Sequence, residues 1–112
     1  MTCHATILMC PPDHYGIEYE INPWMHRQRP THRARAARQW QSLHQLLIEN
    51  RAEVCLLPPR PGQPDLVFTA NAALIYRDLA VPARFRHGER RGVRRAALLH
   101  DRRYFSDRKW RR

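Results

Sequence analysis

Asp65 and Asn71 lie in the run Pro64-Asp65-Leu66-Val67-Phe68-Thr69-Ala70-Asn71-Ala72, which sets one acid and one amide at the mouth of an apolar strand. A carboxylate in a partly desolvated place is an ion-pair partner for a cationic ligand. An amide offers one acceptor oxygen and two donor hydrogens, so it is weaker for charge and better suited to a neutral polar group. Each residue also has an ordinary use: Asp65 after Pro64 can cap local N–H groups in a turn, and Asn71 can satisfy backbone groups where a strand ends. Nucleophiles are harder to find. Of the three Cys, Cys10 and Cys55 fall in predicted strands, and their odd number without a secretory signal argues for thiols rather than a disulfide framework. His14, His26, His32 and His44 fall in a loop and on a helix, with no pair at metal-ligand spacing beside a Cys, so no metal is expected.

The elements that must position Asp65 and Asn71 follow from pattern. Ala5-Thr6-Ile7-Leu8-Met9-Cys10 is a short apolar run closed by Pro11-Pro12, which predicts a buried strand. A polar and aromatic loop runs from Pro11 to Pro30, and loops of that length in small domains usually carry function. Tyr15, Tyr19 and Trp24 favour an ordered one. Thr31 can N-cap a helix reaching about Asn50, with Ala37, Trp40, Leu43, Leu47 and Ile48 on one face. Asn50-Arg51 ends it without the usual Gly. Glu53-Val54-Cys55-Leu56-Leu57 reads as a strand, and the Pro-rich stretch 58–64 as a rigid connector. Leu66-Val67-Phe68 and 72–76 read as a strand pair or one interrupted strand, with Asp78 in a turn and Leu79-Ala80-Val81-Pro82 as an edge element. The order suits a mixed α/β module.

The formal charge of +10 is unevenly placed. Residues 1–87 carry 10 Arg against 7 acids, while residues 88–112 carry 10 Lys plus Arg against 3. The chain therefore divides into a patterned unit, 1–87, and an Arg-rich tail, 88–112, read as disordered or non-native although 94–100 has a short apolar stripe. Such a tail supports an alternative function, nucleic-acid binding, with Arg on phosphates and Tyr104, Phe105 or Trp110 stacked on bases. No stretch approaches the roughly 20 apolar residues that span a bilayer, and the start lacks a basic segment followed by an apolar one, so the expectation is a cytoplasmic protein without a membrane partner.

Three motifs then stand in a particular order: Met9-Cys10-Pro11-Pro12-Asp13-His14-Tyr15, Tyr19-Glu20-Ile21-Asn22-Pro23-Trp24-Met25, and the run 64–72. Together they resemble the N-terminal segment of the guanidine-modifying, or pentein, enzymes. This superfamily comprises arginine deiminases, dimethylarginine dimethylaminohydrolases, amidinotransferases and arginine dihydrolases. The likeness runs from about Ile7 to Arg86 or Arg90 and is greatest to the arginine dihydrolase branch.

The resemblance implies an α/β fold: part of a five-bladed α/β propeller, about one ββαβ-type unit beside a central channel. It implies a hydrolase acting on arginine-like guanidino compounds, with no cofactor or metal. By it, Asp65 holds the substrate's α-amino group, and Asn71 sits where deiminases carry a guanidinium-binding Asp, which favours the dihydrolase-like branch. Asn22 becomes a further substrate contact, or else the start of an Asx turn before Pro23. Phe68 packs on the substrate's aliphatic stem, or else joins the core. Arg84, Arg86 and Arg90 lie where the family places a carboxylate-binding Arg, and Arg90 is preferred. The family's catalytic Cys and His lie beyond residue 112, so no catalytic residue is assigned and residues 1–112 alone are expected to be inactive. One unit of a closed propeller leaves strand edges and apolar faces unpartnered, so self-association is expected.

Overall fold

The computed structural model describes residues 5–76 and 79–96 and the backbone of residues 109–110. Strands β1 (Thr6–Met9) and β2 (Glu53–Leu56) pair in parallel, Thr6 opposite Glu53 and Met9 opposite Leu56. Parallel strands need a crossover, and helix α1 (Arg33–Glu49) supplies it, packing against β2. His32 rather than Thr31 is the N-cap, its Nδ1 accepting from the Arg35 N–H at 3.2 Å. At the other end Arg51 takes the left-handed conformation, φ 62°, that Gly more often fills. The apolar stripe of α1 is only half covered: Ala37, Trp40 and Leu47 are half-buried, while Leu43 and Ile48 are exposed.

A second sheet has the order β3–β4–β5. Strands β3 (Ala73–Tyr76) and β4 (Leu79–Pro82) are antiparallel, and the two-residue β5 (Lys109–Trp110) adds in parallel to β4. The turn expected at Asp78 lies outside the described residues, as do Tyr104 and Phe105.

Residues 66–68 are not a strand. Two successive 3-10 turns, Pro64–Val67 and Thr69–Asn71, occupy the segment. Their bonds run from Leu66 N–H to Gln63 O, Phe68 N–H to Asp65 O, Asn71 N–H to Phe68 O and Ala72 N–H to Thr69 O. Pro64 favours this because its fixed φ suits a first helical position and its missing N–H is not needed there. Three apolar residues are too few for periodicity to separate a strand from a buried turn.

The core joins the ends of these elements: Cys10 after β1, Leu57 after β2, Leu66 in the first turn, Ala72 before β3, and Val93 and Ala96. The last two lie in the stretch 88–112. Packing continues past residue 87 through a 3-10 turn (Gly88–Arg90) and helical residues 91–96, which place Val93 and Ala96, three apart, inward. The Arg density around them masks these two apolar positions in the sequence. The Gln63 side-chain amide lies against Gly92, where a Cβ would make that flexible amide move aside.

Candidate substrate pocket

The carboxyl ends of β1 and β2 open on the same side, where open α/β sheets place ligands. The loop after β1 and the turns after β2 line a pocket of about 300 Å³ there, closed by Arg90 from the third 3-10 turn. Six of its ten lining residues come from the loop 11–30. Asn22, Asp65, Phe68, Asn71 and Arg90 all line this one cavity, although 68 positions separate the first from the last.

Asp65 is 5% exposed. It sits on the first 3-10 turn, whose neighbour Leu66 anchors it to the core. Its Oδ2 accepts a short hydrogen bond, 2.5 Å, from the Tyr19 hydroxyl and lies 3.1 Å from Arg90 Nε. The contact with Arg90 is a close charge pair without hydrogen-bond alignment, for Nε has no hydrogen-bonded partner. Arg90 also lays its guanidinium over the Phe85 ring, 5.1 Å from the centroid, which fixes its approach to the pocket. Burial, and then the hydrogen bond to Asp65, push the Tyr19 phenol well above its ordinary range, so it is a proton donor at neutral pH.

Asn71 ends the second 3-10 turn at the pocket wall, its side chain exposed. Thr69 ties that turn to β1 by donating to Leu8 O at 2.7 Å. Phe68 is in the pocket rather than the core, 42% exposed and edge-on to Tyr15 with centroids 6.0 Å apart. Asn22 makes the Asx turn: its Oδ1 accepts from the N–H groups of Trp24 and Met25. Its oxygen is spent, and its NH2 remains to donate. Arg84 and Arg86 are exposed and outside the pocket lining.

Among the described residues neither Cys nor His lines the pocket. Burial, helped by the charge of Asp13, pushes the Cys10 thiol up to about 11, and Cys55 is buried in β2. These thiols are packing groups. Among the described residues no cluster of His, Cys, Asp and Glu could hold a metal ion, and no helix is long and apolar enough to cross a membrane.

No protein-family model matches the chain. Over 93 residues, 82% of its length, it is 53% identical to the bifunctional arginine dihydrolase/ornithine cyclodeaminase AgrE of Nostoc sp.. It is 44% identical over 88 residues, 79% of its length, to the N(G),N(G)-dimethylarginine dimethylaminohydrolase of Mycobacterium tuberculosis. A crystal structure of an AgrE mutant with L-arginine superposes with a TM-score of 0.82 over 98% of this chain, at 40% identity. This chain is a homologue of the guanidine-modifying enzymes. It spans a small part of these pentein relatives: 13% of AgrE, 29% of the mycobacterial hydrolase and 16% of the crystallised AgrE chain. The nucleic-acid alternative drawn from the Arg-rich tail finds no support among these pentein homologues.

The principal group that sequence reasoning missed is Tyr19. The signal was present, since Tyr15 and Tyr19 mark the loop as ordered, but nothing in residue type says which acid a loop tyrosine will meet 46 positions away. Ile17, Ile21 and Met25, which form the apolar wall, went unassigned for the same reason.

Proposed function

We propose that this chain is the substrate-gripping part of a hydrolase of the arginine dihydrolase and dimethylarginine dimethylaminohydrolase type, acting on C–N bonds of arginine-like compounds. The observation that carries the reading is the convergence of Asp65, Arg90, Asn71, Asn22 and Phe68 on one cavity, with a buried acid and a cation side by side and two amides on the same wall. An α-amino acid head group is zwitterionic and needs opposite charges side by side. In this reading Asp65 takes the ammonium and Arg90 the carboxylate, the planar guanidinium being the better carboxylate partner. The stem lies along Phe68, and Asn22 donates its NH2.

Asn71 meets the guanidino end. One amide oxygen accepts less from a cationic guanidinium than a carboxylate would, and the amide donors suit a neutral ureido product, so Asn71 favours holding citrulline for a second attack that yields ornithine. The binding unit extends through Ala96 rather than ending at residue 87, because Val93, Ala96 and Arg90 belong to its core and pocket. With no thiol or imidazole from the described residues at the pocket wall, residues 1–112 are expected to bind without hydrolysing. Covalent attack on the guanidinium carbon needs a Cys and a proton-relaying His from the rest of such an enzyme. The exposed apolar strand face supports self-association of the isolated chain, which sedimentation velocity would reveal.

The test joins residues 1–96 to the remaining sequence of AgrE. Asp65→Asn should raise KM for L-arginine about tenfold or more, from roughly 1.5–3 kcal/mol of charge-assisted hydrogen bonding, with the product unchanged. Asn71→Asp should shift product from ornithine toward citrulline. An unchanged KM in the first variant and an unchanged product ratio in the second would show that these side chains only shape the turn.

A further inference from the structure

Arg90 and Asp65 stand close enough to satisfy each other, which makes their lack of alignment informative. An Arg–carboxylate pair left alone tends to a bidentate fork, two parallel N–H···O bonds that consume both oxygens and two guanidinium nitrogens. Here a single guanidinium nitrogen, Nε, approaches a single oxygen, Oδ2, off the hydrogen-bond axis. The same oxygen is held by the Tyr19 hydroxyl. The bond from a loop hydroxyl to Oδ2 restrains the rotation by which the carboxylate would present both oxygens to Arg90. Both residues line the cavity, so the pair faces the space a ligand would enter.

We propose that Tyr19 is a positioning residue that keeps Asp65 and Arg90 from closing on each other, so that the pair stays open as two adjacent subsites for a zwitterionic α-amino acid head group. The inference rests on the proposed reading of Asp65 and Arg90 and adds to it the group that determines selectivity for the zwitterion. Because Tyr19 lies on the loop that supplies most of the pocket wall, the same bond couples the loop's placement to the readiness of the acid. Removing the hydroxyl lets the two charges pair internally, and an incoming ligand must then break that pair.

The experiment titrates the full 112-residue chain, by amide chemical shifts, with three ligands: L-arginine, its decarboxylated analogue agmatine, and 5-guanidinopentanoate, which lacks the α-amino group. The wild type should prefer L-arginine to both. Tyr19→Phe should cut that preference about tenfold, and the loss should vanish when Tyr19→Phe is made in an Asp65→Asn background. A wild-type preference that survives Tyr19→Phe overturns the role of Tyr19 and leaves the Asp65 and Arg90 subsites standing. No wild-type preference for L-arginine overturns both. A second measurement needs no variant: in an ultraviolet pH titration of the wild type, one tyrosine should ionise well above the others. Its ionising in the ordinary range would show that the bond to Asp65 is absent and would overturn the proposal even if Tyr19→Phe fails to fold.

Discussion

The pocket side and the strand face of β3 and β4 are both built from apolar residues and end in opposite conditions. Around the pocket, Leu66, Leu57, Cys10, Val93 and Ala96 are fully buried, and they hold Asp65 and Arg90 against each other. On β3, Leu74 and Tyr76 alternate outward at 71% and 63% exposed, with Val81 of β4 paired opposite Leu74 and also exposed. The first region holds a charged pair facing a cavity, with Arg90 Nε left without a hydrogen-bonded partner; the second presents an apolar strip that water meets. A soluble chain rarely leaves such a strip open without use, and the homologues contain far more protein than this chain spans. The contrast separates residues that make the site from residues that would seat the unit against other protein.

Stability measurements can break this contrast. The largest effect expected is from Leu66→Ala, which empties the centre of the core beside Asp65 and should cost about 2–5 kcal/mol in urea unfolding. Leu74→Ala should change stability by no more than about 0.5 kcal/mol, because its side chain loses little on truncation. Equal effects would mean the two regions are not differently packed.

A smaller effect depends on pH. Burial raises the Cys10 thiol from 9.0 to about 11 in the folded chain. The unfolded chain therefore ionises first as pH rises, so Cys10's contribution is fully present below pH 9 and is lost between about 9 and 11. The loss is on the order of 2–3 kcal/mol for a shift of this size. The raised Tyr19 phenol continues the decline from its ordinary range upward. Cys10→Ala should flatten the first part of the curve, and a slope between pH 9 and 11 unchanged in that variant would refute the assignment.

Thr69→Val sharpens the comparison with the least perturbation. It keeps the side-chain shape but leaves Leu8 O without its 2.7 Å donor, and should cost about 1 kcal/mol while loosening the turn that carries Asn71. Hydrogen exchange at residues 64–72 should then rise more than exchange at α1. The reverse order would show that this bond does not hold the turn.

Legibility in the sequence followed the range of the interactions. The strand before Pro11, the helix up to Asn50 and the strands near residues 53–57, 72–76 and 79–82 were readable because each rests on local periodicity and a local stop. Residues 66–68 were misread as a strand because a buried apolar triplet has no period of its own. The core membership of Val93 and Ala96 was hidden because they cluster with Leu57 and Leu66, far away in the chain. The pocket residues were named by motif likeness, and the cavity that gathers them came only with the structure. The bond from Tyr19 to Asp65 is purely tertiary and had no local trace.

The central claim is that this unit by itself presents an amino-acid head-group site at the carboxyl ends of β1 and β2. Chemical-shift mapping of the labelled chain with L-arginine tests it most directly. Shifts concentrated at Asn22, Asp65, Asn71 and Arg90, lost in Asp65→Asn and absent from β3 and β4, are the predicted result. Shifts centred on Leu74, Tyr76 and Val81, or a map unchanged by Asp65→Asn, would contradict it.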